Sequence, residues 1–168
     1  MALVLQAVIL NFINTRNFNR TSQVLLDQVS NVIEKNKASE DDLIDSLKED
    51  YMVRAKAVAY IVDARPEVED DVDELRKIAA LISVDEVHLF NTDGEIYAGT
   101  NPEYYGYNFD SGEQMAYFKP MLDDKTLTMC QDVTPNTSEG KNMMYAITWN
   151  DDGTKMIHVG NILQYAYA

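Results

Sequence analysis

The sequence predicts an α+β fold: helices first, then a five-stranded, mostly antiparallel sheet. Three observations carry that prediction. Apolar residues recur at helical spacing up to Ile82. From about Val84 onward they alternate along short runs. Two turn sequences, Asn91-Thr92-Asp93-Gly94 and Asp151-Asp152-Gly153, each join a pair of those runs. A change of period from 3.6 to 2 marks the passage from helix to strand, and helices segregated from strands imply α+β rather than a parallel α/β sheet.

Residues 2–36 read as one long helix, or a helix with a weak middle. Leu25, Val29, Val32 and Ile33 supply the apolar spacing, while Asn11, Asn14, Asn17 and Asn19 lower the helix propensity. A narrow apolar stripe on a long helix suits packing against a twin, so a homodimer through this helix is expected. Ser39-Glu40-Asp41-Asp42 reads as a fresh helix start, with Ser39 as cap and acids at the N-terminus. From there Ile44, Leu47, Tyr51, Ala55, Val58 and Val62 form one apolar face, which ends near Asp63 and is stopped by Pro66. A further helix is expected over Asp71–Ile82, with Val72, Leu75, Ile78, Ala79 and Ile82 on one side. The expected division is therefore an N-terminal helix over residues 1–36 and one domain over residues 37–168.

Strands are expected at Glu86–Phe90, Glu95–Thr100, Leu127–Asp132, Met143–Trp149 and Met156–Leu163. Asp-Gly at both turns tolerates the positive φ that tight hairpins need. Gln114–Leu122 reads as a short helix across the sheet, ended early by Pro120.

Composition narrows function. The 168 residues fit one domain with a sizeable core, and 46% hydrophobic with 25% charged residues is ordinary for a globular protein. The net charge of -14 opposes binding to nucleic acid. The single cysteine, Cys130, allows no intrachain disulfide and no thiolate metal cluster. His88 and His158 are too few for a three-histidine zinc site, and Glu67–Ile82 lacks the glycine a calcium loop requires. No nucleophile–base pattern, phosphate-cradling glycine loop or other catalytic motif is present, so no enzyme, cofactor or metal is expected.

The apolar stretch Ala2–Ile13 is shorter than the about 20 residues that span a bilayer, and Ile162, Leu163, Tyr165 and Tyr167 make the other end apolar too. Ala2–Ile13 reads either as a buried or partner-packing helix or as the remnant of a transmembrane segment, and both ends read as pieces of something longer.

The candidate ligand residues gather around one stretch, Val84–Phe109, whose hairpin runs into a loop holding Tyr104, Tyr105, Tyr107 and Phe109. Tyrosine offers a flat apolar face and a hydroxyl, so Tyr105 and Tyr107 either line a pocket or simply cover the sheet. His88 points opposite to Val87 and Leu89, with Tyr97 expected across the hairpin from it. Arg54 and Lys141 are the cations that would meet a ligand carboxylate; an ion pair with one of the many acids is the competing role. Phe118 on the cross-sheet helix and Tyr145 among the methionines of a late strand complete the set.

These pieces together resemble the Cache family of extracytoplasmic sensor domains, whose sheet is PAS-like. The resemblance rests on Arg54-Ala55, VDEVHLFNTDGEIYAGTNPEYYG, Phe118 and Leu122, Lys141-Asn142-Met143-Met144-Tyr145 and His158-Val159-Gly160, and spans roughly residues 20–165. It implies a domain outside the membrane that binds a small molecule on the concave face of the sheet. Such a domain signals to a kinase, cyclase or chemoreceptor module. A cytosolic PAS-like module that binds a protein partner without a small ligand is the alternative.

Overall fold

The structure, a computed structural model, describes residues 2–162; of residues 2–5, 7–9, 12 and 13 it describes the backbone alone. Two units are resolved by packing, Met1–Asp45 and Ser46–Ala168. The first unit is helical, and Phe18, Leu25, Leu26, Val29, Val32 and Ile33 stand exposed along it. The helix α1 runs over Ala2–Ala64 without a break, which corrects the expected fresh start at Ser39. Ser39 and the acids after it are helix interior because neither Gly nor Pro occurs before Pro66. Their modest propensity penalties do not amount to a stop. Among the described residues no helix is long and apolar enough to cross a membrane.

In the second unit, Tyr51, Ala55, Val58 and Val62 of α1 are buried, as their spacing predicts. A short 3-10 helix at Pro66–Asp70 leads into α2, Val72–Leu81. Asp71 caps α2 by accepting a hydrogen bond from the Glu74 amide at 3.0 Å. At the other end the Ser83 and Val84 amides donate back to the Ala80 and Ala79 carbonyls, which is a Schellman closure. Ser83 holds the left-handed position with φ 58°, where glycine is the usual occupant.

The sheet contains β1 Glu86–Phe90, β2 Ile96–Gly99, β3 Thr128–Cys130, β4 Thr134–Pro135, β5 Asn142–Trp149 and β6 Met156–Ile162. All five expected strands are present; Leu163, placed in the last of them, lies outside the described residues, as do Tyr165 and Tyr167. The two-residue β4 is additional. Every pairing is antiparallel, and the order is β2-β1-β6-β5-β3, with β4 also on β5. The expected helix over Gln114–Leu122 is instead two short turns, α3 Glu113–Ala116 and a 3-10 helix at Lys119–Leu122, separated ahead of Pro120.

Strand alternation sorts the sheet into two faces. One carries Val87, Leu89, Ile157 and Val159, and lies on the side of α2, which contacts β1. The other, concave face carries Glu86, His88 and Phe90 of β1, Met156, His158 and Gly160 of β6, and Tyr145, Ile147 and Trp149 of β5. The segment after β2 closes over it, with Tyr104, Phe109, Met115, Phe118 and Met121 joining the sheet residues in one core. The Trp149 indole donates to the Met121 carbonyl at 3.0 Å and anchors that cover to β5. Gly94, with φ 80°, makes the first hairpin turn and leaves room for the Phe109 ring, which a Cβ there would meet at 2.7 Å.

Relief of the left-handed strain at Ser83 gives a direct check on the α2 closure. Ser83→Gly is expected to raise stability by about 0.5–1 kcal/mol in urea denaturation. No gain would mean that the serine conformation carries no strain.

Candidate functional site

Three strands bring the polar residues of the concave face into register. Tyr145, Gly160 and Glu86 are direct neighbours across β5, β6 and β1, and Ile147, His158 and His88 form the next row. Gly160 has no side chain, so the Tyr145 ring lies across β6; a Cβ at Gly160 would sit 2.1 Å from it. The Tyr145 hydroxyl thereby reaches β1 and donates to Glu86 Oε2 at 2.8 Å. Glu86 Oε1 accepts from the Asn101 amide at 3.2 Å. Burial raises the Glu86 carboxyl above its ordinary value, and the Tyr145 hydrogen bond offsets part of that rise.

The two imidazoles meet through Nδ1 and Nδ1 at 3.4 Å. The His158 ring stacks on Tyr145 at 4.5 Å and takes Phe90 and Phe118 edge-on. Both imidazoles are buried, and neither Nε2 has a hydrogen-bond partner. Burial pushes the His88 imidazole down to about 4 and holds His158 well below its ordinary value, with His88 adding to the depression. Both rings are therefore neutral at pH 7.

A cavity of about 20 Å³ lies against this pair. His88, Tyr104, Tyr107, Gln114, Tyr145 and His158 contribute to its wall, together with the Asn136–Ser138 turn. That volume accommodates about one water molecule. The Asn136 side chain holds the turn by accepting from the Glu139 and Lys141 amides, each at 3.0 Å. The Tyr104–Phe109 loop folds back on β2 through Ile96 N to Tyr107 O at 2.8 Å and Gly106 N to Ile96 O at 2.9 Å.

Of the eight residues singled out from sequence, His88, Tyr107 and Tyr145 line this cavity. Phe118 is fully buried beneath it, edge-on to His158. The other four lie elsewhere. Tyr105 turns its hydroxyl onto the Gly99 backbone, 3.2 Å from both N and O. Arg54 pairs with Asp50 and donates to the Ile82 and Ser83 carbonyls, which closes the end of α2 onto α1. Lys141 is half-exposed and paired with Glu139 at 2.7 Å. Tyr97 does not oppose His88: the turn sets Phe90 opposite Ile96, which already carries the register past Tyr97, and a bulge between Leu89 and Phe90 shifts it one residue further, so Gly99 faces His88 and Tyr97 is left unpaired. Its hydroxyl donates to Glu69 at 2.7 Å instead.

Sequence reasoning gave no ligand role to His158, Gln114 or the Asn136–Ser138 turn. The only signal for His158 was its place in an alternating strand. Its pairing with β1, 70 residues away in the chain, is a property of the sheet order.

Three measurable outcomes test this chemistry. Tyr145→Phe removes the donor to Glu86, and denaturation should show a loss of about 1–3 kcal/mol; an unchanged midpoint would mean that the bond carries no stability. Below pH 6.5 the unfolded chain takes up protons at both histidines that the folded chain refuses. Stability should therefore fall as pH drops from 6.5 towards about 4, with a slope of up to about 1.4 kcal/mol per pH unit for each ring. Glu86 acts in the opposite sense above pH 4.5, because the folded carboxyl keeps its proton longer than the unfolded one. Glu86→Gln should therefore steepen the acid loss, and denaturation midpoints across this pH range measure both slopes.

No protein-family model matches the chain, and no curated protein matches it by sequence. Solved structures do share its fold. The sensor domain of the V. cholerae histidine kinase DctB superposes with a TM-score of 0.56 at 16% identity, over 84% of this chain and 57% of that one. The Bacillus subtilis YkuI protein, which has an EAL domain and was solved with its substrate c-di-GMP and calcium, gives 0.56 at 12% identity, over 78% of this chain and 36% of that one. The chain thus spans little more than half of one of these proteins and about a third of the other. It has an α+β, PAS-like fold, shared with the DctB histidine kinase sensor domain.

Proposed function

We propose that this chain is the extracytoplasmic small-molecule sensing domain of a membrane-bound signal-transduction receptor, and that it carries out no chemistry itself. The observation that carries the reading is the small cavity against the His88–His158 pair, walled by histidine, tyrosine and amide side chains and covered by two separate loops. Sheet, pair of histidines and loops together provide orientation, hydrogen-bonding groups and a movable cover. The fold shared with the DctB sensor domain supports the same reading.

In the proposed mechanism a ligand enters between the sheet and the Tyr104–Phe109 loop and stabilises one arrangement of loop and sheet. The shift passes along β5 and β6 to their connecting turn. There Asn150 Nδ2 and the Asp151 amide donate to Asp63 of α1 at 2.8 and 3.3 Å. From Asp63 the displacement travels along α1 towards the membrane. The exposed apolar residues Phe18, Leu25 and Val32, spaced by seven with Val29 between them, form the contact of a homodimer in which α1 helices pair.

The small cavity favours a second reading, a PAS-like module that binds a protein partner and no small ligand. Calorimetry with a panel of organic acids, amines, amides and peptides separates the two. Saturable binding of at least one compound, lost on Tyr107→Trp, is the outcome expected of a sensor. A panel with no binder at millimolar concentration would favour the interaction module.

A further inference from the structure

The contact between the two histidines allows only a limited number of protons. The Nδ1 atoms are 3.4 Å apart and the ring centroids 5.7 Å, so the rings meet end to end, Nδ1 against Nδ1. A neutral imidazole carries one N–H and one bare nitrogen. The contact therefore holds one proton between the two nitrogens, donated by one ring and accepted by the other. One further proton leaves it intact, because the single imidazolium still donates its Nδ1–H to the bare Nδ1 opposite. The Glu86 carboxylate, 3.9 Å from His88 Nε2, is the counter-charge. After a second further proton no bare Nδ1 remains. Two N–H groups on two cations then face each other, in an interior where like charges repel strongly.

Among the described residues, no other group around the rings relieves that repulsion. His88 meets Tyr104 edge-on, and His158 meets Tyr145, Phe90 and Phe118. Burial raises Tyr104 and Tyr145, so both keep their protons in acid. Glu139, Asp85 and Lys141 act on Glu86 from outside the pair, and Lys141 is paired with Glu139. The strands fix both backbones, because His88 and His158 are direct partners across β1 and β6. The rings can then part only by turning off the sheet, into the cover. That cover is lightly held beside them. Gln114 Nε2 reaches Gln131 Oε1 only at 3.5 Å, Thr137 Oγ1 reaches Gln114 Oε1 at 3.3 Å, and the buried Gln131 Nε2 has no partner. Backbone bonds at Ile96 and the Tyr105 hydroxyl tie the Tyr104–Phe109 loop to β2.

We infer that this contact is a proton-operated latch on the cover: the neutral pair holds it shut, and uptake of two protons from solvent parts the rings and lifts the Tyr104–Phe109 loop off β2. The latch acts on the same covered face as the sensing reading above, but it needs no ligand. Its linkage has a definite sign. Closed, His88 refuses a proton down to about 4, and His158 lower still. Open to water, each ring takes one near its free value of about 6.5. Between those values each ring multiplies the open fraction by up to about tenfold per pH unit, and two rings by up to about a hundredfold. While the open form is rare the rings do not titrate visibly, yet exchange of the cover amides reports it.

Hydrogen exchange on the unaltered chain, from about pH 6.5 down to about pH 5, tests the latch. The Ile96 and Gly106 amides, bonded between β2 and the loop, are compared with the Ile147 amide of β5. The ratio of their rates cancels the pH dependence of the exchange chemistry. That ratio is expected to rise by more than about tenfold per pH unit, a slope that requires two protons. In His158→Phe, with one imidazole left, the rise should be no more than about tenfold per pH unit. If that variant does not fold, the slope of the unaltered chain still counts the protons and decides alone. A level ratio, a one-proton slope in the unaltered chain, or equal slopes in the two chains would overturn the latch. Such a failure leaves the calorimetric panel above untouched, and a panel without a binder leaves the latch untouched.

Discussion

The site depends on the absence of a side chain at Gly160. That gap in the central strand lets the Tyr145 ring cross β6 and bond to Glu86 on β1, so one residue ties three strands together. The same ring forms the stacking surface for His158, and His158 in turn meets His88. A side chain at position 160 would move the tyrosine, release Glu86 from its donor and change the wall of the cavity. Packing, the buried acid and the histidine pair are thus consequences of one close approach.

Burial then decides the electrostatics. The concave face gathers a carboxyl, two imidazoles and several amides and hydroxyls where most of the core is apolar. Desolvation favours the neutral form of each histidine and raises the carboxyl. The result is a polar interior without a fixed positive charge. It also leaves the Nε2 atoms of both rings without a hydrogen-bond partner.

Much of this was legible in the sequence. Period-2 alternation marked the strands, and the Gly94 and Gly153 turns placed both hairpins, because those signals are local. The place of Tyr107, His88 and Tyr145 on the cavity wall was legible because the two strand residues alternate to one side of the sheet and Tyr107 sits in the covering loop. Other features were beyond local reasoning. Ser39 looked like a cap, yet a cap functions only where the helix begins, and nothing before it stops the helix. Tyr97 was placed opposite His88 by counting back from a two-residue turn, but the turn pairs Phe90 with Ile96 and the bulge at Leu89/Phe90 adds a further residue. Arg54 and Lys141 had the right charge for a carboxylate, but their partners are carbonyls and acids brought near by folding. His158 entered the site only because β6 pairs with β1, a crossover that no local pattern encodes.

The fold is shared with the DctB histidine kinase sensor domain, and the sheet face opposite α2 holds a small covered cavity. The central claim is that this cavity is walled by two neutral imidazoles in complementary tautomers. The ring nitrogen-15 shifts of His88 and His158, followed from pH 8 down to pH 5, test it most directly. The account predicts one ring protonated at Nδ1 and the other at Nε2, with neither titrating over that range. Two rings in the same tautomer, or a titration near the ordinary histidine value of about 6.5, would contradict it.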